Sequence, residues 1–540
     1  MQDKDLLPGE ICELSIEGIN HQGEGVARLD GRAVFVSYAL PGERVKACIT
    51  FSKKRLAYAA AADVLSPSPY RAAPRCPFFG SCGGCDLQHA AYSYQLELKH
   101  QIVCDVLRRI GGFENPPVLP VLGMENPWHY RNKAELHVEV FAEKKGGKGE
   151  RGKEERCDGE LGREEQHNQK EQKSEEKRQG EKAPALLALG YCRAGSREVI
   201  DFESCDLIPA EWHAVICDLR EGLSELAVLA HRAGRRFPVK HLLLRQSFFS
   251  GEVAVVWVIE SASDPCWREW VGRYAPRFMQ RFPQIACLAE NVNPEGEAAR
   301  GGGILGKETR VIRGKGFIRE RFGELEFRVS PVSFFQVNPL QAAVLYEQVK
   351  RYAQLTGSER VIDVYCGVGT ITLFLARQAK EAVGIEAVPE AVEDARENAR
   401  LNRISNAVFY SGNAAEILSW LARGPRSARS RGGRECSLRL GKPGIAASGR
   451  QDPSLRTPLV VVLNPPRGGC EKGVLRAVGE LAPQRIVYVS CNPVTLARDL
   501  RVLADSGYEL AEIQPVDMFP QTAHVECVVS LKACAGPATA

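Results

Sequence analysis

The stretch Val361-Ile362-Asp363-Val364-Tyr365-Cys366-Gly367-Val368-Gly369-Thr370 constrains this chain more than any other. An apolar strand runs there into a Gly-x-Gly turn and then into a helix. Glycines let the backbone approach a ligand closely, and a helix N-terminus presents unpaired N–H groups to it. About twenty residues on, Gly384-Ile385-Glu386 ends a second strand with an acid, a place suited to the hydroxyls of an adenosine ribose. From Ser358 onward strands at Arg360–Val364, Ala382–Ile385, Ala407–Tyr410, Leu459–Leu463, Arg485–Val489 and Glu526–Leu531 alternate with helices such as Thr370–Gln378 and Glu390–Leu401. That alternation predicts a doubly wound α/β domain with a mostly parallel sheet. No second glycine pair completes a G-x-G-x-x-G pattern, which favours S-adenosylmethionine over a nicotinamide dinucleotide.

The chain has 540 residues, too many for one core, and at about 150 per domain three or four are expected. Residues 1–64 read as short strands: Ile11–Ile16, Val26–Leu29, Ala33–Val36, Val45–Phe51 and Ala57–Val64, with Asp30-Gly31 as a hairpin signal. Such a run suggests a small OB-like barrel of the kind that binds oligonucleotides. Lys53, Lys54 and Arg55, with Arg28, Arg32, Arg44 and Lys46 around them, favour RNA as its partner. A helix is expected from about Tyr92 to Ile110, and strands such as His241–Arg245 and Val253–Val258 mark a central α+β region.

Two stretches read as flexible insertions. Residues 143–182 hold 24 charged positions, twelve of each sign, and almost nothing apolar to offset ordering entropy. Residues 423–456 are rich in Gly, Arg and Ser, with nine Lys/Arg and two acids. The net charge of +4 therefore conceals a local +7, and the second stretch can hold RNA non-specifically. No run of 18 apolar residues occurs, and residues 1–18 lack a basic segment followed by an apolar one, so a cytoplasmic chain without a membrane span or secretory signal is expected.

Eighteen cysteines in a reducing compartment are not a disulfide framework. Cys12, Cys48, Cys287 and Cys527 read as small hydrophobes, and Cys157 and Cys436 lie in the insertions. Cys76, Cys82 and Cys85, within CPFFGSCGGCDLQH, form a metal or iron–sulfur knuckle. The spacing alone suggests zinc, and argues against the radical enzymes with their three-residue first gap. Cys205 is preferred over Cys104 and Cys192 as a fourth ligand.

Three further motifs fall at strand ends. Leu463-Asn464-Pro465-Pro466-Arg467 follows the fourth strand, where the backbone lines the crevice of an open α/β sheet. Val487-Tyr488-Val489-Ser490-Cys491-Asn492-Pro493 puts a thiol at the tip of the fifth, before a helix N-terminus that favours thiolate. Asp517-Met518-Phe519-Pro520-Gln521-Thr522-Ala523-His524-Val525-Glu526 ends with a carboxylate at the start of an apolar strand. Taken singly, each residue reads as an ordinary structural one.

Together they resemble the uracil-5 RNA methyltransferases, and more closely the 23S ribosomal RNA members that carry a TRAM domain and an iron–sulfur cluster. The resemblance also takes in YRNKAELHV from Tyr130 and SPVSFFQVN from Ser330, and covers nearly the whole chain outside the two insertions. It implies Cys491 as nucleophile and Glu526 as general base. The cofactor-binding positions would be Gln336, Tyr365, Gly367, Gly369, Thr370, Glu386, Asn413 and Asn464, and the 4Fe–4S ligands Cys76, Cys82, Cys85 and Cys205. It implies a monomer of three parts: a TRAM barrel at 1–66, a central iron–sulfur and RNA-binding domain at 70–345, and a Rossmann-like methyltransferase domain at 346–535. Transfer RNA is the alternative substrate. Asn464 departs from the family's usual Asp before Pro-Pro-Arg, keeping an acceptor and losing a charge. The Asn-Pro-Pro sequence also suggests amino-group methyltransferases of adenine or guanine, but an aromatic ring is expected there where Arg467 stands. A decayed, purely RNA-binding protein is the remaining reading, and Asn464 is its only support.

Overall fold

The computed structural model describes residues 6–141, 186–294, 304–423 and 458–534. Both presumed insertions lie outside these residues, apart from Arg423 at the end of a helix.

The N-terminal sheet comprises β1 (Ile11–Ser15), β2 (Gly18–Ile19), β3 (Gly25–Leu29), β4 (Arg32–Ser37), β5 (Arg44–Lys53) and β6 (Leu56–Ser66), in the order β1-β5-β6-β4-β3-β2. Asp30 and Gly31 both take positive φ, 49° and 79°, as the β3–β4 hairpin turn requires. Alternate residues, Ala27, Val34, Val36, Ile49, Ala57 and Ala59 among them, form a small core of their own. A small OB-like barrel was expected, and the hydrogen-bonded ladder is open, with β1 and β2 as its edges. Because only residues 16 and 17 join those edge strands, the sheet must curl.

Then come α1 (Tyr92–Arg109), β7 (Lys133–Phe141), β8 (Leu186–Cys192), β9 (Val199–Asp201), α2 (Trp212–Arg232), β10 (Val239–Gln246), β11 (Val253–Ile259), α3 (Pro265–Arg281), β12 (Ile285–Val292) and β13 (Glu308–Gly314). The seven strands form a mixed sheet, β13-β12-β11-β10-β7-β8-β9, with β11 and β12 parallel across α3. α2 and α3 bury Trp212, Trp257, Trp267 and Trp270 against one face. On the other face Leu243, Ala254, Val256 and Ala289 share an apolar cluster with the C-terminal region.

A hairpin of β14 (Ile318–Phe322) and β15 (Leu325–Val329) leads into α4 (Pro339–Ala353). The second seven-stranded sheet follows: β16 (Arg360–Val364), α5 (Thr370–Ala376), β17 (Glu381–Glu386), α6 (Pro389–Leu401), β18 (Ala407–Ser411), α7 (Ala414–Arg423), β19 (Leu459–Leu463), α8 (Lys472–Leu481), β20 (Arg485–Ser490), α9 (Pro493–Asp505), β21 (Tyr508–Val516) and β22 (Glu526–Ala533). Its order is β18-β17-β16-β19-β20-β22-β21, parallel from β16 through β20, with β22 antiparallel to both neighbours. The order reverses between β16 and β19, the switch point where an open α/β sheet leaves its ligand crevice. β21 was not expected: its apolar alternation is weak and it contains Pro515, which argues against a strand.

α1 belongs to the same apolar cluster as this sheet. Leu98, Ile102, Val103 and Leu107 pack with Leu496, Leu500 and Leu503 of α9. Burying each such leucine contributes about 2 kcal/mol. No described helix is long and apolar enough to cross a membrane.

Candidate active site

All but one of the expected catalytic and cofactor residues fall at the carboxyl edge of the second sheet or on a loop leaving it. Gln336 is the exception, on the segment before α4. Tyr365 follows β16 with φ 69°, an uncommon conformation for a bulky residue, and Gly367 and Gly369 have φ 55° and 84°. The turn is held from the next strand: Tyr365 and Cys366 donate N–H bonds to the Ile385 carbonyl, at 2.9 and 3.0 Å. Glu386, at the tip of β17, accepts from the Gly367 N–H at 3.0 Å, and from those of Ala387 and Val388 at 2.7 and 2.9 Å. Nothing lies within 4 Å of where a β-carbon on Gly367 would stand, so the loop is open to a ligand on that side. Thr370 begins α5, and its hydroxyl accepts from Tyr346 at 3.3 Å.

Asn413 follows β18 and caps α7, accepting from the Glu416 N–H at 3.2 Å. Asn464 follows β19, half-buried, with its N–H on the Val364 carbonyl at 3.3 Å. Gln336 is buried, and its carbonyl accepts from Asn132 at 3.1 Å. Asp363 lies beneath the glycine loop. Burial pushes its carboxyl up to about 7; Thr372 donates to one oxygen at 2.6 Å, and the other is buried without a partner. A glycine turn, a strand-end acid and an open side at Gly367 fit an adenosine-bearing cofactor.

Ser490 pairs with Cys527 across β20 and β22, so Cys491 and Glu526 stand next in register at the ends of adjacent strands. Thirty-five positions apart in the chain, they meet because β22 runs antiparallel into the sheet. Burial and the Glu526 carboxylate push the Cys491 thiol up to about 11, opposed by the nearby positive charge of the Arg467 guanidinium. Burial likewise raises Glu526 to about 7, again against Arg467. Arg467 is itself exposed, and its loop is tied to α9 by Asn492 and Thr495, which donate to its carbonyl at 3.1 and 3.2 Å. Asn492 also caps α9, accepting the Val494 N–H at 3.0 Å.

Sequence reasoning did not single out Arg467, because nothing local announces an arginine whose charge acts on another strand's cysteine. It also missed the bracing of residues 517–525. Lys99 and Asp517 form a fully buried ion pair at 2.5 Å, with Tyr92 on the other carboxylate oxygen at 2.9 Å. Lys99 also donates to the Phe519 carbonyl, Tyr130 to that of Pro520, and Asn338 to that of Met518. Asp86 and Leu87, beside Cys85, donate N–H bonds to the Gln521 carbonyl, and Asp86 accepts from Ala523. The available signal was Lys99 itself, a cation on the buried stripe of α1 beside Gln95, Leu98 and Ile102.

Of the aromatic residues around the site, Phe335 is core, stacked on Phe322 at 5.2 Å, while Phe334 is 70% exposed. Tyr365 and Phe519 are half-buried. His524 is exposed, with its ring edge-on to Phe519 at 6.0 Å.

Cys76, Cys82 and Cys85 lie on the loop before α1, and Cys205 on the loop after β9. Burial raises Cys85 to about 12 and Cys205 to about 11, and each of the two feels the charge of other cysteines in the set. Cys192 acts on Cys82, whereas Cys104 lies buried in α1. Cys287 and Cys527 are buried, as expected of small hydrophobes; Cys12 and Cys48 are half-buried. Among the described residues no three His, Cys, Asp or Glu side chains already form a group able to hold a metal ion.

Three family models match the chain: the TRAM domain over residues 5–62, a methyltransferase domain over 355–423, and tRNA (uracil-5-)-methyltransferase over 451–534. An uncharacterized RNA methyltransferase of Halalkalibacterium halodurans is 37% identical, covering 98% of this chain and 99% of its own. Another from Caldanaerobacter subterraneus is 37% identical over 96% and 97%. In solved structures, the Pyrococcus abyssi tRNA (uracil-54, C5)-methyltransferase with S-adenosyl-L-homocysteine superposes at TM-score 0.62, with 24% identity over 96% of this chain and 99% of that one. That likeness establishes the fold. Fold and site together define an S-adenosylmethionine-dependent methyltransferase joined to an RNA-binding module. The chain belongs to the TRAM-bearing uracil-5 RNA methyltransferase family.

Proposed function

We propose that this enzyme methylates carbon 5 of a uridine in 23S ribosomal RNA through a covalent adduct of Cys491. The observation that carries the reading is the Cys491–Glu526 register at adjacent strand ends, within the electrostatic reach of Arg467. Carbon 5 of uracil is a weak nucleophile until a thiolate adds to carbon 6. Arg467 favours the thiolate, and formation of the sulfur–C6 bond turns carbon 5 into an enolate carbon. S-adenosylmethionine supplies the electrophilic methyl group, held by Glu386, Tyr365, Gly367, Gly369, Thr370, Asn413, Asn464 and Gln336. Glu526 then takes the proton from carbon 5, and the sulfur–C6 bond breaks to release product and restore the cysteine. A carboxyl raised to about 7 is matched to that transfer near neutrality. The target uridine must leave any stack, so a loop or single strand is the substrate form.

Cys76, Cys82, Cys85 and Cys205 would hold the 4Fe–4S cluster; their mutual electrostatic coupling and the buried, unpartnered Arg131 Nε beside them support this. The cluster would tie the loop at 76–85 to that at 201–205 and take no part in methyl transfer. The three-part division at residues 66–70 and 345–346 belongs to the same reading. The preference for 23S over transfer RNA rests on the sequence resemblance.

Two experiments test it. RNA containing 5-fluorouridine should trap a denaturation-resistant complex at Cys491, because fluorine at carbon 5 cannot leave as a proton; an amino-group methyltransferase would trap nothing. Nucleoside mass spectrometry with and without the gene should show 5-methyluridine lost from large-subunit RNA. Loss from transfer RNA instead would keep the mechanism and overturn the substrate.

A further inference from the structure

We propose that Asp499 is a positioning residue for methyl transfer: with Arg498 it seats the loop of residues 467–470 so that the charge of Arg467 bears on Cys491 and Glu526. The proposal deepens the reading above and rests on Cys491 and Glu526 being the reacting pair, not on which RNA they meet.

Arg467 is exposed, yet its charge acts on both Cys491 and Glu526. An exposed side chain on a loop keeps its place only when the backbone beneath it is held. The holding groups sit on α9 and its cap, directly after Cys491 in the chain. Asn492 and Thr495 donate to the Arg467 carbonyl. One turn further on, Arg498 donates to the Gly468 carbonyl at 3.0 Å and to that of Cys470 at 3.4 Å. Asp499 accepts the Cys470 N–H on one oxygen at 2.7 Å, and its other oxygen takes the Nε and Nη2 of Arg498 at 2.8 and 2.7 Å. The backbones of Arg467, Gly468 and Cys470 are thus all bonded to one helix and its cap.

The Asp499 side chain is 1% exposed, against 50% for Arg498. Withdrawing a carboxylate from water is costly unless several donors meet it. Tyr488 of β20 completes the set, donating at 2.6 Å to the oxygen that takes the Cys470 N–H. Tyr488 stands three residues before Cys491. One carboxylate therefore joins the strand that carries the nucleophile, the loop that carries the cation and the helix packed on both. An apolar residue of the same size would leave the buried Cys470 N–H without a partner. The Gly468-Gly469 pair is shaped to the same seat. Gly469 has φ 78°, and a β-carbon on it would stand 2.5 Å from the Arg498 Nη2 and 2.6 Å from the Asp499 Oδ2. Attraction between charges falls with distance, so a loop lifted from this seat loses its hold on the thiolate.

The bland alternative is that Asp499 merely fastens α9 to the sheet. Alkylation of Cys491 separates the two, because only the thiolate reacts. The tryptic peptide 486–498 has Cys491 as its one cysteine, so its labelling by iodoacetamide in the full chain can be followed by mass spectrometry. Asp499→Asn keeps the size and an acceptor but loses the charge that holds Arg498. Its Cys491 alkylation at pH 8 should slow about tenfold, the loss of thiolate expected when a nearby cation withdraws, and kcat should fall by a similar factor. In an Arg467→Gln background the same substitution should slow alkylation no further, since Asp499 acts through Arg467. If Asp499→Asn does not fold, Arg498→Gln releases the loop from the half-exposed side of the pair, and the same slowing is expected. Alkylation at or above the wild-type rate in the folded variant, or a further slowing in the Arg467→Gln background, would overturn the positioning role. Failure of the wild-type chain to form the 5-fluorouridine adduct would instead sink the proposed function, since the alkylation contrast is read without RNA.

Discussion

The catalytic crevice and the cysteine knuckle present the same side chain in two environments. Burial raises Cys491 and Cys205 to about 11 alike, and Cys85 to about 12. Beside Cys491 the neighbours are a carboxyl and an exposed guanidinium; beside Cys85 and Cys205 they are other cysteines and Arg131. A nucleophile needs a cation to favour thiolate and a base nearby, whereas a ligand needs other thiols. The surroundings separate the two proposed roles where the thiol shifts do not.

The sharpest way to break the contrast is Cys491→Ala, expected to cost about 10⁴-fold or more in methyl transfer and to leave the melting temperature within a degree or so of wild type. Residual turnover measured with labelled cofactor would reassign the nucleophile. Next, Glu526→Gln should slow turnover about 10²–10⁴-fold while the RNA adduct on Cys491 accumulates on denaturing gels; loss of the adduct as well would mean that Glu526 acts before proton removal. Lys99→Met should cost about 3–5 kcal/mol in urea unfolding by leaving Asp517 buried and uncompensated, and adding Asp517→Leu should recover much of it. Cys85→Ser should abolish bound iron in anaerobically purified protein yet still permit the 5-fluorouridine adduct, and loss of both would make the two sites one functional unit.

The pH response carries the smallest effect, the one on stability. Glu526 acts as a base only when ionised and Cys491 attacks only as thiolate, so kcat/KM should rise about a hundredfold per pH unit up to about 7 and about tenfold per unit above it. The folded pKa of Glu526 lies above the ordinary 4.5, so the folded state holds the proton more tightly between those values and stability falls as pH rises through them. Glu526→Gln removes that dependence, and its advantage in melting temperature over wild type should grow from pH 4.5 to about 7 and then level off.

Much of the second sheet was legible because its strands are continuous apolar runs between glycine turns, as in Leu459–Leu463 and Arg485–Ser490. Tyr508–Val516 escaped because Pro515 argues against a strand, and its outer side is closed only by isolated bridges from Val118 and Leu122. The spacing of Cys76, Cys82 and Cys85 was legible because they are close in sequence, while no metal-holding group of three side chains is already formed among the described residues. Arg467 escaped because its partners come from β20 and β22, far along the chain.

The sequence by itself determined the glycine turn, the acid ending β17, the strand-end cysteine and the alternation that builds the sheets, since these depend on local backbone preference and the burial of neighbouring residues. Only the tertiary structure decided that Cys491 meets Glu526 under Arg467 and that Lys99 of α1 braces the loop before Glu526. Those relations follow from strand order and register, and register is fixed by the packing of whole sheets, which no short stretch of sequence contains.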